Sequence, residues 1–124
     1  MKYRIPCFAA ALMIGVLAPL QAARAEYPEK PVRLIVPAAP GGAADNHARA
    51  LAIELHKRLG QPFVIENKPG ASGAIGMDVV AKAAPDGYTI GSNNLATFIV
   101  GTLTAKQLPY RIESDFTPLA SLVT

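Results

Sequence analysis

Gly41 and Gly42 follow the apolar run Val32–Val36 and stand just ahead of Asp45 and Arg49, in the stretch VPAAPGGAADNHAR. A glycine pair between a strand and a helix leaves main-chain N–H groups uncovered at the helix N-terminus. Those donors and the helix dipole together stabilise an anion, the dipole by about 0.3–1 kcal/mol. The class of anion is narrowed by what is missing. A P-loop needs a lysine followed by Ser or Thr after its glycines, whereas Ala43, Ala44 and Asp45 follow here. A dinucleotide loop needs three spaced glycines, and PGGAAD does not supply them. A phosphate would also meet the Asp45 carboxylate directly. A ligand carboxylate is easier to place, with Asp45 either capping N–H groups itself or accepting from an ammonium or hydroxyl on the same ligand. The competing reading is structural: an acid in the first turn of a helix, paired with Arg49 one turn on.

Other reactive residues do not assemble. Gly70-Ala71-Ser72-Gly73 lacks the Gly-x-Ser-x-Gly spacing of a nucleophile elbow. His47 and His56 are nine residues apart on one expected helix, which puts them about 180° apart and unable to share a metal. No HExxH occurs. Asp45, Asp78 and Asp86 each fall at an expected helix start or turn and form no catalytic pair. The single cysteine, Cys7, lies in the first 25 residues, so the rest of the chain can hold neither a disulfide nor a thiolate metal site. The residues therefore point to no catalytic group and no metal site.

The elements that must position the glycine loop alternate. Val32–Val36 reads as a buried strand, ended by Pro37. Ala48, Leu51, Ala52, Leu55 and Leu59 recur at three- and four-residue steps, the stripe of an amphipathic helix. Glu54 and Arg58 are expected to pair on its other face, and Gly60 to end it. Phe63–Glu66 reads as a second strand. NKPGASGAIG makes a glycine-rich turn, and a helix is expected over 74–83 with Ile75, Val79, Val80 and Ala83 as its apolar side. Pro85-Asp86-Gly87 is a turn and Tyr88–Gly91 a third strand. After it, SNNLATFIVG reads as a polar loop and then a helical segment. Residues 105–118 read as loop with a short turn, and Leu119–Val123 as the start of another strand. Strand–helix alternation of this kind implies right-handed crossovers and a parallel sheet covered on both faces. Ligands of such sheets bind beyond the carboxyl ends of the strands. Residues 37–44, 67–74 and 92–95 lie there, all rich in Gly, Ala, Ser or Asn.

The first 25 residues read separately. Lys2 and Arg4 precede a mostly apolar stretch from Ile5 to Leu20, and Ala23-Arg24-Ala25 is a small-x-small cleavage site. This is the layout of a secretory signal peptide, with cleavage expected after Ala25. The apolar stretch is short for a membrane span, which takes roughly 20 apolar residues. Lys2, Arg4 and Arg24 carry the whole formal charge of +3, and the remaining chain has nine basic residues and nine acids. The basic pI therefore belongs to the signal, and with no basic cluster elsewhere no nucleic-acid partner is expected.

The blocks YPEKPVRLIVP, PGGAAD, LGQPFVIENKPGASGAIG and AAPDGYTIG, in this order and spacing, closely resemble the extracytoplasmic solute receptors of the tripartite tricarboxylate transporters, the Bug family. The later LPYRIESDFTPLASLV resembles the family's lead-out toward its second domain, so the likeness covers nearly all of residues 26–124. The resemblance implies a type II periplasmic binding protein, built from two α/β lobes around a cleft. It implies a non-enzymatic receptor without cofactor, which binds a small carboxylate in the periplasm and delivers it to membrane transporter subunits. It carries ligand contacts over to Pro40, Gly41, Gly42 and Asp45 of the first loop. It adds Ala71, Ser72 and Gly73 of the second, and Ser92, Asn93 and Asn94 of the third. In the family the first and third loops hold the ligand's carboxylate, partly through main-chain groups and ordered water. Where the family often has an aromatic residue and a Thr or Ser, this chain has Ala38 and Ala44. Family members are roughly two to three times longer. Residues 26–124 are thus expected to form an incomplete first lobe with a parallel sheet flanked by helices. A truncated form that binds weakly or not at all is expected, or alternatively an exported module that pairs through its open sheet edge.

Overall fold

Val32–Val36 (β1) is apolar at every position but Arg33, and Val32, Leu34, Ile35 and Val36 are each no more than 1% exposed. A strand buried on both faces belongs in the middle of a parallel sheet, and β1 is there. In the computed structural model, which describes residues 26–94, 99, 103 and 108–121, β1 runs parallel to Phe63–Asn67 (β2) on one side and Thr89–Gly91 (β3) on the other. Val32 pairs with Phe63 and Val36 with Asn67, while Leu34 pairs with Ile90. The register aligns the carboxyl ends of the strands at one edge.

The crossovers are helices, one on each face. Ala43–Leu59 (α1) packs on β1 and β2. Its Ala48 and Ala52 enter the core with Val32, Leu34, Val36 and Phe63. Small residues here let the helix approach the sheet closely, and each large strand residue buried beneath it contributes about 1.5–3 kcal/mol. Gly60 ends α1 in the left-handed conformation, φ 76°, and its N–H donates to the His56 carbonyl, as the glycine predicted. Ala74–Ala81 (α2) lies on the opposite face, against β1 and β3. Gly91 of β3 accommodates it, since a Cβ there would stand 3.1 Å from Val80 Cγ2.

Several boundaries and pairs differ from the sequence expectation. Glu54 binds Lys57 at 2.7 Å, and Arg58 adds a weaker Coulombic attraction without a direct ion pair. α2 stops at Ala81, two residues early, because the Ala83 N–H turns to the Val80 carbonyl in a tightened last turn. Its buried residues are Gly76 and Met77, and Ile75 is exposed. β2 runs one residue further, through Asn67. β3 begins at Thr89, because the Tyr88 N–H is spent on the Asp86 carboxylate at 3.0 Å. Residues 119–121 join no strand of the described sheet, and 122–123 lie outside the described residues. A strand is defined by a partner's ladder bonds, which an apolar run does not provide by itself. A single helical turn, Ile112–Asp115 (α3), occupies the expected loop at 105–118. Ile99 and Leu103 are helical. The remainder of that expected helical segment, like the expected signal peptide at 1–25, falls outside the described residues.

Candidate functional site

The strand order places the β1–α1 loop centrally at the carboxyl edge, flanked by the β2–α2 and β3 loops. All three loops predicted to bind therefore leave the same edge of the sheet. Pro40, Gly41 and Gly42 are exposed there. Gly41 has φ 81°, a left-handed conformation that favours glycine. Gly42 forms the N-cap of α1 with extended backbone and no side-chain cap, and its carbonyl accepts from the Asn46 N–H at 2.9 Å. Ser92 and Asn93 are half-buried and Asn94 exposed. The Ser92 N–H donates to the Ile35 carbonyl at 2.9 Å, which continues the β1–β3 ladder by one residue and leaves that donor occupied.

The second loop is the most unusual backbone in the described residues. Gly70, Ala71, Ser72 and Gly73 all have positive φ, at 119°, 47°, 51° and 88°. Two of them carry a Cβ, and a left-handed L-residue costs about 1–2 kcal/mol. Held strain of this kind is over-determined by the surroundings. The Gly73 N–H closes the turn on the Gly70 carbonyl at 2.9 Å. Gly76 then seats α2 against the end of β1, where a Cβ would stand 2.8 Å from Pro37 Cβ and 3.0 Å from the Lys68 carbonyl oxygen.

Asp45 is the charged residue of the core, 1% exposed. Its Oδ2 accepts from the Gly41 N–H and from Arg49 Nε, both at 2.8 Å, and its Oδ1 accepts from Asn67 Nδ2 at 2.9 Å. The Arg49 guanidinium, the Gly41 amide and the Asn67 amide together hold the carboxyl well below the usual carboxylate range. Both structural readings of this acid thus hold together: it caps a loop N–H and pairs with Arg49. Each of its oxygens already has a protein donor. Asn67 is a residue that sequence reasoning missed. Its Nδ2 also donates to the Ala38 carbonyl at 3.1 Å, and the Ala38 side chain packs on the core. No spacing signal connects it with Asp45, because the two are 22 residues apart and meet only through the sheet.

The nearby cations are committed elsewhere. Arg33 grips Glu66 with both Nε at 2.7 Å and Nη2 at 3.0 Å, and Lys68 Nζ stands 3.9 Å from the same carboxylate. The Arg49 side chain borders a shallow groove with Ala52, Ile53, Phe63 and Ile65, between α1 and the β2 edge. His47 and His56 are both exposed on α1. Among the described residues no group of three His, Cys, Asp or Glu could hold a metal, and no helix is long and apolar enough to cross a membrane.

Comparison with known proteins agrees with this architecture. Residues 47–124 match the family model described as "Tripartite tricarboxylate transporter family receptor", TctC. Protein BugT of Bordetella pertussis is 43% identical over 107 residues, covering 86% of this chain and 32% of BugT. A solved structure of MatC from Rhodopseudomonas palustris with bound malate is 44% identical with a TM-score of 0.67, over 74% of this chain and 31% of MatC. A solved periplasmic transporter is 47% identical with a TM-score of 0.63, over 68% of this chain and 28% of its own. A further R. palustris protein, solved with adipate, is 45% identical with a TM-score of 0.51, over 52% of this chain and 22% of its own. The chain spans about a third of the length of the curated relatives it matches. The parallel sheet with a helix on each face is the corresponding part of a periplasmic-binding-protein lobe, and with it the chain belongs to the TctC, or Bug, family of tripartite tricarboxylate transporter receptors.

Proposed function

We propose that this chain is a periplasmic solute receptor, or the leading part of one, which takes a small carboxylate-bearing metabolite for a tripartite tricarboxylate-type transporter. Residues 1–25 serve as its signal peptide, and residues 26–124 form the first part of lobe 1. The observation that carries the reading is the common edge reached by Gly41-Gly42, Ala71–Gly73 and Ser92–Asn94. It offers main-chain N–H groups at a helix N-terminus and no uncommitted side-chain cation among the described residues near it, which suits a carboxylate better than a phosphate. Malate and adipate, bound by two relatives, set the class of ligand to try. Asp45 holds the first loop through the Gly41 amide, Arg49 and Asn67.

The test is a thermal-shift and calorimetric titration of the purified chain with malate, adipate, citrate and inorganic phosphate. A ligand at a hundredfold excess over its Kd stabilises by about 2.7 kcal/mol, which in a chain of this size shifts Tm by roughly 11 °C or more. A carboxylate is expected to do this and phosphate is not. Gly42→Val is expected to abolish the shift without unfolding the chain. A Cβ there meets just the Ala39 carbonyl oxygen, at an ordinary 3.6 Å, and the backbone is already extended. Silence toward every carboxylate would overturn carboxylate binding by this chain on its own.

A second reading has its own observation. β2 is an edge of the described sheet, Val64 on it is 47% exposed and Ile53 beside it 57% exposed. Open edges with apolar residues invite pairing. In that reading the chain is an exported module that associates through its sheet edge. A monomer on size exclusion, at concentrations up to about 100-fold above a micromolar Kd, would dismiss it.

A further inference from the structure

We propose that Asn67 is a positioning residue that locks the first and second candidate loops to each other through the buried Asp45 carboxylate. The inference rests on the receptor reading and adds to it the device that sets the spacing of the two loops before any ligand arrives.

Asn67 is the last residue of β2 and the first of the β2–α2 loop. Its two amide hydrogens are both spent on the neighbouring unit: on the Ala38 carbonyl at 3.1 Å and on Asp45 Oδ1 at 2.9 Å. The other two donors to Asp45 cannot do this work. Arg49 sits on the same helix, one turn on, and Gly41 belongs to the same loop. Asn67 alone, among the described residues, bonds Asp45 from a different strand. The bond is shielded, because Asp45 is 1% exposed. A charge-assisted hydrogen bond away from water is stronger and more directional than a surface one. Two further contacts join the same elements: the Lys68 N–H donates to the Val36 carbonyl at 2.8 Å, and Gly76 admits Pro37 at van der Waals contact. Gly41 and Gly42 are bonded to α1 through Asp45 and the Asn46 N–H, and the Asn67 bonds tie Ala38 and the Asp45 carboxylate to the end of β2.

Asparagine is also the side chain the site requires. Alanine would leave the Ala38 carbonyl and Asp45 Oδ1 without donors. Aspartate would bring a second carboxylate against the first. Of the charged groups around it, Arg49 faces Asp45 from α1, while Glu66 in β2 and Lys68 just past its end flank Asn67, Glu66 engaging both Arg33 and Lys68.

The experiment compares the wild-type chain with Asn67→Ala and Asn67→Asp by amide exchange and two-dimensional NMR. In Asn67→Ala the β1 amides of Leu34 and Ile35 are expected to stay protected. The Gly41 amide should exchange about tenfold faster, the factor that loss of one buried bond gives, and resonances of both 38–42 and 70–73 should move. Unchanged Gly41 protection would overturn the proposal. Asn67→Asp supplies a readout that simple loss of packing does not move. Near neutral pH its carboxylate repels Asp45. On acidification the pair comes to share a proton, because like charges raise one carboxyl's value, and the new hydroxyl donates to Asp45 Oδ1. Loop order should therefore return on acidification in this variant, and not in Asn67→Ala. An Asn67→Asp pH profile identical to wild type would overturn the proposal even if Asn67→Ala failed to fold. A malate titration separates the two readings. Binding by wild type that weakens about tenfold in Asn67→Ala supports both, and equal affinity refutes the positioning role. Wild type that ignores malate, with the exchange result as expected, refutes malate as ligand and leaves the coupling standing.

Discussion

Replacing Gly76 by alanine sets two principles against each other, and the structure decides the sign. Gly76 lies in the first turn of α2. On helix propensity alone, Gly→Ala should stabilise by about 0.5–1 kcal/mol. The built Cβ, however, falls 2.8 Å from Pro37 Cβ, 2.9 Å from Pro37 Cα and 3.0 Å from the Lys68 carbonyl oxygen. Carbon pairs are comfortable at about 3.5–4.0 Å, so the helix start must retreat by roughly 0.5–1 Å. None of the three atoms can swing aside. Two are tied to the Pro37 backbone, and the third accepts no rotation without moving the β2 end, whose Lys68 N–H is bonded to Val36. Overpacking of this kind costs about 1–3 kcal/mol. The net expectation is a loss of about 0.5–2 kcal/mol, read as a lower urea midpoint with unchanged m-value, or as a Tm lower by roughly 3–12 °C. Stabilisation by Gly76→Ala would refute the claim that α2 is seated directly on the β1 and β2 ends. A Gly60→Ala control fails for a different reason, the left-handed φ of 76° with open space around its Cβ, so only Gly76→Ala should shift the Ala71–Gly73 resonances.

Other outcomes follow from the same contacts. Leu34→Ala, at a position 1% exposed, should cost about 2–5 kcal/mol and remove most of the cooperative urea transition. Tyr27→Phe loses the 2.6 Å bond from the Tyr27 hydroxyl to the Gly87 carbonyl at a half-exposed site, and should cost no more than about 1.5 kcal/mol by the same denaturation assay. The folded-state carboxyl of Asp45 is held below its ordinary value. Its contribution is therefore fully present above the unfolded carboxylate range near pH 4 and declines as pH falls from there toward the folded value. Urea midpoints between pH 7 and pH 3 should show a decline on the acid side that is shallower in Asp45→Asn; equal slopes would remove Asp45 as the acid-sensitive group.

Much of the fold was legible because its signals are local. VRLIV, bounded by prolines, could be read as a strand buried on both faces. The stripe from Ala48 to Leu59 could be read as a helix, and Gly60 as its end. What failed locally failed at ends and pairs. Lys57 and Arg58 are both within reach of Glu54, and rotamer choice, which a sequence does not display, selects Lys57. Ile75 reads as core by type but lies exposed over Gly70, where a Cβ would meet its Cδ1 at 2.7 Å. Met77, a residue of the same stretch, fills the interior instead. The handed turn of helix decides between the two, and an error of one position in its start exchanges buried for exposed.

The common edge of the candidate site was legible and its supports were not. The alternation of elements sends all three loops to one edge, where the amides of Gly41, Gly73 and Ser92 turn out to be bonded within the protein. The state of Asp45 could not be read in the same way, because a carboxylate beside two glycines serves equally well as ligand contact, cap or ion-pair partner. Arg49 was visible one turn away and Gly41 four residues back, yet both are compatible with an acid that keeps one oxygen for a ligand. Asn67 adds a donor to Oδ1 from another strand, so that each oxygen has at least one protein partner. Its side chain reaches Asp45 because β2 pairs with β1 in a register that ends at Val36 and Asn67 together. A shift of two residues in that register would carry the amide past the loop and leave the carboxylate oxygen open. The role of a residue at the mouth of a parallel sheet is thus fixed by the ladder two strands share, and Asn67→Asp, which keeps the register and inverts the sign of the bond, is the substitution that isolates it.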